Sequence, residues 1–207
     1  MKKIILSAIF TISIPFIIKS QTDSSALKEI SAFRQELNSF YADTAKSPLL
    51  KEDRLVFNGL EFYPVNLDFR IKANFVRTPD EKPFKMRTTT DRLPEYIKYG
   101  EAHFSLLGKK FKLNIYQNLQ LIKKVGYENY LFLPFTDQTN GDETYGGGRY
   151  IDLRIPDGNS IIIDFNQCYN PYCAYNHRYS CPIPPKENEI DVPVKAGVKA
   201  FKSVTEH

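Results

Sequence analysis

The chain has 207 residues, of which 42% are hydrophobic and 25% are charged, a balance that is typical of globular proteins and not of disordered or fibrous ones. Its 28 basic and 24 acidic residues give a formal net charge of +4, without the strong basic excess or stripe expected of a nucleic-acid-binding protein. The length fits one domain with a core large enough to fold without metal or disulfide staples.

Residues 1–20 have the pattern of a secretory signal peptide. Lys2 and Lys3 form a charged start, Ile4 to Ile18 is an apolar run too short for a comfortable membrane span, and Ser20 provides a small residue before the cleavage point. A retained N-terminal anchor is the alternative. Cleavage removes three of the 28 basic residues and no acidic one, which leaves 25 against 24 and a net charge of +1. We expect an exported protein, periplasmic or secreted, with no stable membrane span after cleavage.

The region 21–50 predicts one helix over residues 23–46. Apolar residues recur there at spacings of three and four, at Ala26, Ile30, Phe33, Leu37 and the pair Phe40 and Tyr41. Asp23 or Ser24 can cap its N-terminus. Pro48 predicts its end, because the residue before a proline avoids the helical conformation.

After this helix the apolar period changes to two, which predicts a β-rich domain over residues 51–207. Residues 68–75 alternate cleanly, and residues 102–106 and 111–115 predict a hairpin that turns at Gly108. Further strand candidates are 55–63, 84–89, 130–135, 150–155, 160–166 and 192–198. We therefore predict a mainly β (α+β) fold in one domain: an antiparallel sheet curled into a sandwich or small barrel, with the N-terminal helix packed against it.

The segments 150–155 and 160–166 predict a second hairpin. A three-residue loop at Asp157, Gly158 and Asn159 would place both apolar sets on one face. This register sets Asp152 beside Asp164, and Tyr150 beside Asn166, on the other face. Opposed carboxylates destabilise a sheet unless a nearby arginine (Arg149 or Arg154), a bound cation or a shared proton offsets the repulsion. A solvated pair next to an arginine is the simpler interpretation, and a ligand site is the other.

The segment before this hairpin contains Gly146, Gly147 and Gly148 between Tyr145 and Arg149. The run opens a strand and lacks the spacing of a nucleotide-binding motif. Glycines here predict a tight loop or a close approach of a ligand to the backbone. Asp137, Asp142 and Glu143 lie just upstream, but their spacing does not match an EF-hand, and a solvated loop is favoured over a calcium site.

Asn166 and Asn170 follow the hairpin together with Tyr169, Tyr172 and Tyr175. Asparagine side chains commonly hydrogen-bond the local backbone and order loops. The same amides beside aromatic faces are also suited to bind a sugar or another polar ligand.

Three cysteines lie in this region, at 168, 173 and 181. Cys173 and Cys181 flank a short loop and are the candidate disulfide, with Cys168 left over. The alternative is a zinc site made by these cysteines and His177, although the C-x4-C-x3-H-x3-C spacing is uncommon. No serine-hydrolase motif is present.

The strings TYGGGRYIDL, IDFNQCYNPYCAY and CPIPPKEN, with the earlier SPLLKEDRLVFNGLEFYPVN, resemble a bacterial family catalogued as domain of unknown function 1684. The likeness spans roughly residues 33–197. The family has no established activity, so the resemblance implies the extent of the domain and little about mechanism. Cys168 departs from the family pattern, which favours Cys173 and Cys181 as the pair.

These observations predict a small polar or anionic ligand-binding module whose site lies within residues 137–182, with no metal or cofactor. Arg149 suits a carboxylate or phosphate, because its guanidinium binds such groups in bidentate fashion. One alternative is a hydrolase in which Asp152 and Asp164 act as an acid and base pair with Arg149, and another is a purely structural envelope protein. The candidate ligand contacts are Tyr145, Arg149, Tyr150, Asp152, Asp164, Asn166 and Asn170.

Overall fold

The computed structural model describes residues 14–205. Most of the predicted signal peptide, residues 1–13, lies outside the described residues. Within residues 14–205, no helix has both the length and the apolar character needed to cross a membrane.

The predicted N-terminal helix is present and is longer than expected. Helix α1 runs from Ile14 to Ala42, so it begins before the expected cap at Asp23. It ends before Pro48, because the Asp43 side chain accepts a hydrogen bond from the amide of Ala45 at 2.8 Å and so offers the backbone an alternative to the next helical turn. Its buried face includes Ala26, Ile30 and Tyr41, spaced as an amphipathic helix requires.

A short helix α2 (Lys51–Leu55) follows, and the described residues then form one eight-stranded sheet. The order of its main strands is β6-β5-β4-β3-β1-β7, with β2 added beside β3 and β8 beside β5. All pairs are antiparallel except β5 with β8. The strands are β1 (Arg70–Arg77), β2 (Phe84–Lys85), β3 (Glu95–Leu106), β4 (Lys109–Asn118), β5 (Tyr130–Asp137), β6 (Arg149–Arg154), β7 (Ser160–Asp164) and β8 (Glu189–Ile190).

The sheet is a curled half-barrel, which confirms the predicted fold class. The predicted hairpin at Gly108 is also confirmed: β3 and β4 pair up to Leu106 and Lys109. The two turn residues, Leu107 and Gly108, have φ values of 48° and 79°. Positive φ at both positions is the turn geometry that suits the twist of a two-residue hairpin.

The second predicted hairpin is wrong. Strand β6 pairs with β5 and strand β7 pairs with β1, so the two strands occupy the opposite ends of the main strand order. Asp152 lies opposite Phe132, and Asp164 lies opposite Arg70. The alternation of apolar residues identified the correct faces of both strands, but it contains no information about which strand is the neighbour.

Two other strand candidates are also wrong. In residues 55–63, Gly59 has a φ of 114°, and the amide of Leu60 hydrogen-bonds to the Asn38 side chain in α1 at 2.8 Å instead of to a strand. In residues 192–198, Pro193 interrupts the row of amide donors. Both segments are irregular and meet at a single bridge between Phe62 and Val198. Of residues 84–89, only Phe84 and Lys85 form a strand.

The largest hydrophobic cluster fills the inside of the curled sheet. It takes inward-facing side chains from both end strands, including Ile151, Leu153, Ile161 and Ile163. A second cluster lies between α1 and the C-terminal segment, around Tyr41 and Tyr175. A third lies on the outer face of the sheet and is largely aromatic: Met86, Tyr96, Tyr116, Phe132 and Tyr150.

Candidate functional site

Arg149 and Asp137 form an ion pair inside the protein. The Arg149 Nη2 atom lies 2.7 Å from Asp137 Oδ2, and neither side chain is exposed to solvent. Arg149 also donates to the carbonyls of Val194 at 2.8 Å and Ala196 at 2.6 Å. Burial lowers the pKa of Arg149, but Cys168 and Asp137 act in the opposite direction, and the net shift of the pKa is upward. The guanidinium is enclosed by the irregular C-terminal segment, so this geometry does not offer it to a ligand.

The two candidate asparagines act on the backbone. Asn166 accepts from the amide of Asn66 at 3.0 Å and donates to its carbonyl at 2.9 Å, as a neighbouring strand would. Asn170 donates to the carbonyl of Lys199 at 2.8 Å. Both side chains are fully buried. They order the connections around the sheet, which is the loop-ordering role that their sequence context suggests.

Asp164 is part of a charged link between α1 and the end of the sheet. Arg70 lies 2.7 Å from Asp164 and 2.7 Å from Glu29 of α1. Asp164 also accepts from the amide of Asn166 at 3.0 Å. Its carboxylate is therefore held by Arg70 and by the local backbone, not by Arg149.

The glycine run forms a tight loop. Gly148 has a φ of 85°, and a Cβ atom there would lie 2.5 Å from the carbonyl oxygen of Phe135. Only glycine satisfies both conditions. The hydroxyl of Tyr145, at the start of this loop, lies 3.6 Å from the sulfur of Cys173.

The three cysteines are free thiols, so the predicted disulfide between Cys173 and Cys181 is not formed in this structure. The two residues are nevertheless in contact, since the amide of Cys173 donates to Cys181 Sγ at 3.2 Å. Among the described residues, no group of three or more His, Cys, Asp or Glu side chains is arranged to hold a metal ion. The zinc alternative with His177 is therefore not supported.

Asp152 is the candidate residue that faces a cleft. It points outward from β6 and is exposed. Its Oδ1 atom accepts hydrogen bonds from the hydroxyls of Tyr130 at 2.8 Å and Tyr169 at 2.5 Å. Within the described part of the chain, both of these hydrogen bonds go to Oδ1, which leaves Oδ2 for another donor.

The cleft around Asp152 is a cavity of about 350 Å³ between α1 and the end of the sheet. We call it the Asp152 cleft. Four aromatic rings and two carboxylates line it, and no described lysine, arginine or histidine does. The lining residues are Phe33, Glu36, Leu37, Phe40, Asp152, Gln167, Tyr169 and Tyr172. Its volume lies near the lower end of the range for small-molecule sites.

The protein atoms around Asp152 and its two tyrosine partners raise the pKa values of all three groups. Although part of the Asp152 side chain reaches solvent, the surrounding protein atoms desolvate its carboxylate and raise its pKa, while the hydroxyls of Tyr169 and Tyr130 and the charge of Arg154 act in the opposite direction. Burial and the nearby carboxylate raise the pKa of both tyrosines above their usual range. Both tyrosines therefore stay neutral donors at physiological pH, and the acidic residues that line the cleft are Asp152 and Glu36, with no described basic residue in the lining.

Two further cavities border the Asp152 cleft. One, of about 190 Å³, shares Asp152 and Gln167 with it and also contains Asp164 and Arg70. The aspartates thus line one common cavity but have different partners. The other, of about 230 Å³, shares Tyr169 and Tyr172. We call it the Tyr96 cavity; its wall includes Tyr96, Tyr130, Phe132, Tyr150, Cys181 and Pro182.

Both the sequence and the fold have known relatives. The family model described as a protein of unknown function (DUF1684) matches residues 56–199, which is more than half of the chain. The chain belongs to the DUF1684 family. The solution NMR structure of an uncharacterised protein from Haloarcula marismortui resembles this DUF1684 protein with 30% sequence identity and a TM-score of 0.69, covering 86% of this chain and 96% of that chain. No curated protein matches the sequence significantly.

Most of the residues that line the cleft of this DUF1684 protein were not candidates in the sequence. Phe33, Glu36 and Phe40 belong to α1, and the spacing of Phe33 and Phe40 predicts only the apolar face of a helix. Tyr130, which donates to Asp152 from outside the lining, lies on a strand that carries no polar motif. The one available signal was the group of tyrosines beside Asn170, which predicted aromatic faces for a polar ligand.

Proposed function

We propose that the protein is an exported binding module that holds a small organic cation in the Asp152 cleft. The observation that carries this proposal is the Asp152 carboxylate itself, which two tyrosine hydroxyls hold by one oxygen in a cavity lined by aromatic rings. A carboxylate positioned in this way can accept an ammonium donor, and the ring faces attract the methyl or methylene groups next to the charge.

The charge of the lining favours a cation over the anion that the sequence suggested. The preference for an anion rested on Arg149, whose guanidinium is enclosed with Asp137. Asp152 and Glu36 are both acidic, and none of the residues that line the Asp152 cleft is basic. The hydrolase alternative also used Arg149 beside Asp152, so it loses the group that was to stabilise negative charge.

Export is supported by the sequence of residues 1–20, with its charged start and short apolar run. The residues of α1 that line the Asp152 cleft, Phe33 to Phe40, follow the predicted cleavage point. Removal of residues 1–20 would therefore keep the site complete. The mass of the protein recovered outside the cytoplasm tests this part: cleavage after Ser20 is expected, and a protein that retains residues 1–20 contradicts it.

Isothermal titration calorimetry with choline tests the binding proposal. We expect saturable binding to the purified protein, and no binding of 3,3-dimethylbutanol, which has the same shape without the charge. Asp152→Asn should abolish choline binding, because it removes the negative charge while preserving the size of the side chain.

Asp157→Asn is the matched control, since Asp157 lies in the loop after β6 and outside the cleft lining. It should bind choline as the unmodified protein does. Two results would contradict the proposal: no saturable binding of choline or of tetramethylammonium, or equal binding by the Asp152→Asn variant.

A further inference from the structure

Cys173 and Cys181 are placed as a reactive pair and not as isolated buried thiols. The amide of Cys173 donates to Cys181 Sγ at 3.2 Å, and the two side chains also hydrogen-bond to each other. The Tyr145 hydroxyl lies 3.6 Å from Cys173 Sγ. Eight residues separate the two cysteines in sequence, and the intervening loop returns the chain to the same point.

The backbone around Cys181 is held independently of the sulfur atoms. The amide of Cys181 donates to the Thr89 hydroxyl at 3.1 Å, and the amide of Thr89 donates to the Cys181 carbonyl at 2.9 Å. The segment 88–90 therefore holds Cys181 beside Cys173 while both are reduced. A pair preorganised in this way can close a disulfide without a large movement of the backbone.

The environment divides the pair into a thiolate and a thiol. Donation from Cys181, and then from the hydroxyls of Tyr145 and Thr89, lowers the pKa of Cys173 to about 6. The pKa of Cys181 is raised, because it shares its proton with Cys173. The thiolate is the nucleophile in cysteine oxidation, so Cys173 is the attacking sulfur.

Access limits the oxidant to a small molecule. Cys173 and Cys181 are only 4% and 6% exposed. Cys181 lines the Tyr96 cavity, and Cys173 lies directly behind it, with its amide 3.2 Å from Cys181 Sγ. A hydroperoxide is small enough to enter such a cavity.

We propose that Cys173 and Cys181 form a reversible redox site that a hydroperoxide oxidises to a disulfide. The Cys173 thiolate attacks the peroxide O–O bond, forms a sulfenic acid and releases hydroxide. The Cys181 thiol then displaces water from the sulfenic sulfur and forms the S–S bond. In total, two thiols and one hydrogen peroxide give one disulfide and two waters, and a dithiol reductant reverses the change. This proposal does not rest on the proposed cation site, although the Tyr96 cavity and the Asp152 cleft share Tyr169 and Tyr172.

The site is tested by treating the purified, reduced protein with stoichiometric hydrogen peroxide and counting its thiols. Of the three cysteines, we expect two to be lost, with a peptide map that links Cys173 to Cys181. Dithiothreitol should restore both thiols under native conditions. We expect the oxidised form to unfold at a midpoint about 5 to 10 °C higher, because the crosslink constrains the unfolded chain.

Variants separate the two roles. In Cys181→Ser the sulfenic acid has no partner, so dimedone should label Cys173. In Cys173→Ser no residue should be labelled. Cys168→Ser is the matched control, since burial raises the pKa of Cys168 to about 11, and it should form the disulfide as the unmodified protein does.

Three results would overturn the inference. Cys173 and Cys181 could survive peroxide while a small-molecule thiol is consumed, they could oxidise to sulfinic acid without a link between them, or their disulfide could resist dithiothreitol in the folded protein. All three can be read from the unmodified protein, so they do not depend on whether the variants fold.

Discussion

Arg149 and Asp137 lie 2.7 Å apart with both side chains fully enclosed, and together they hold the C-terminal segment against the sheet. Asp137 Oδ1 accepts from the amide of Val194 at 3.1 Å, while Arg149 donates to the carbonyl of the same residue. The irregular segment 192–198 therefore satisfies its backbone through two charged side chains where a strand would use its neighbour.

Arg149→Met should destabilise the fold by about 3 to 5 kcal/mol, because it leaves the Asp137 carboxylate buried without a counter-charge. Chemical denaturation measured by circular dichroism tests this. Arg154→Met on the same strand is the control, since Arg154 is exposed, and it should change the stability by about 0.5 kcal/mol or less. Equal losses of stability in the two variants would show that the buried ion pair stabilises the fold no more than the exposed arginine does.

Gly148→Ala should destabilise the protein by more than about 1 kcal/mol, because φ is 85° there and the new Cβ would meet the Phe135 carbonyl oxygen at 2.5 Å. Gly146→Ala is the control within the same run. A Cβ at Gly146 has its nearest neighbour at 3.7 Å and no positive φ to oppose it. Thermal unfolding of both variants measures the difference, and a neutral Gly148→Ala would refute the close approach.

Asn166→Asp should destabilise the protein by about 2 to 3 kcal/mol, because the amide donor to the Asn66 carbonyl is lost and a buried acceptor is left unsatisfied. The new carboxylate would also face Asp164, to which Asn166 Nδ2 now donates at 2.9 Å. Part of the loss should therefore be recovered in mildly acidic solution. Asn159→Asp in the exposed loop after β6 is the control, and it should have little effect at any pH.

Choline binding should weaken as the pH falls through the raised pKa of Asp152, and this should occur at a higher pH than the ordinary aspartate value of about 3.9 implies. The effect on stability has the opposite sign. Folding raises this pKa, so the contribution of Asp152 to stability is fully present below its unfolded pKa and is lost as the pH rises through the folded value.

Titration calorimetry across this pH range tests the binding part of this prediction. Tyr130 and Tyr169 do not contribute to the change, because their raised pKa values keep them neutral. A binding constant that stays flat down to the ordinary aspartate range would show that Asp152 does not hold the cation.

The apolar alternation in residues 68–75, 150–155 and 160–166 predicted the faces of the sheet correctly where these segments form strands, because side chains alternate in any strand regardless of its partner. The predicted pairing of β6 with β7 was wrong for the same reason, because alternation does not identify the partner and two strands close in sequence need not be neighbours. The β6 and β7 strands close the curl from opposite ends, and this depends on contacts with β5 and β1 that no local pattern encodes.

The candidate site was also predicted only in part. Residue type identified Asp152, Arg149 and Asn166 as polar groups in an ordered region, but not which of them is buried. Arg149 and Asn166 form hydrogen bonds with backbone groups distant in sequence. Asp152 instead faces a cavity whose other wall is formed by α1, near the N-terminal end of the described residues.

By itself the sequence determined the fold class, the amphipathic helix, the β3–β4 hairpin and the family, because these depend on local periodicity, turn chemistry and residue strings. Only the tertiary structure decided that the opposed aspartates of the predicted hairpin are separated onto two end strands, that Arg149 is a structural residue, and that Asp152 lies in an aromatic cleft. The physical reason is that burial and hydrogen-bond partners are set by residues far apart in the chain, which meet only after the sheet has curled.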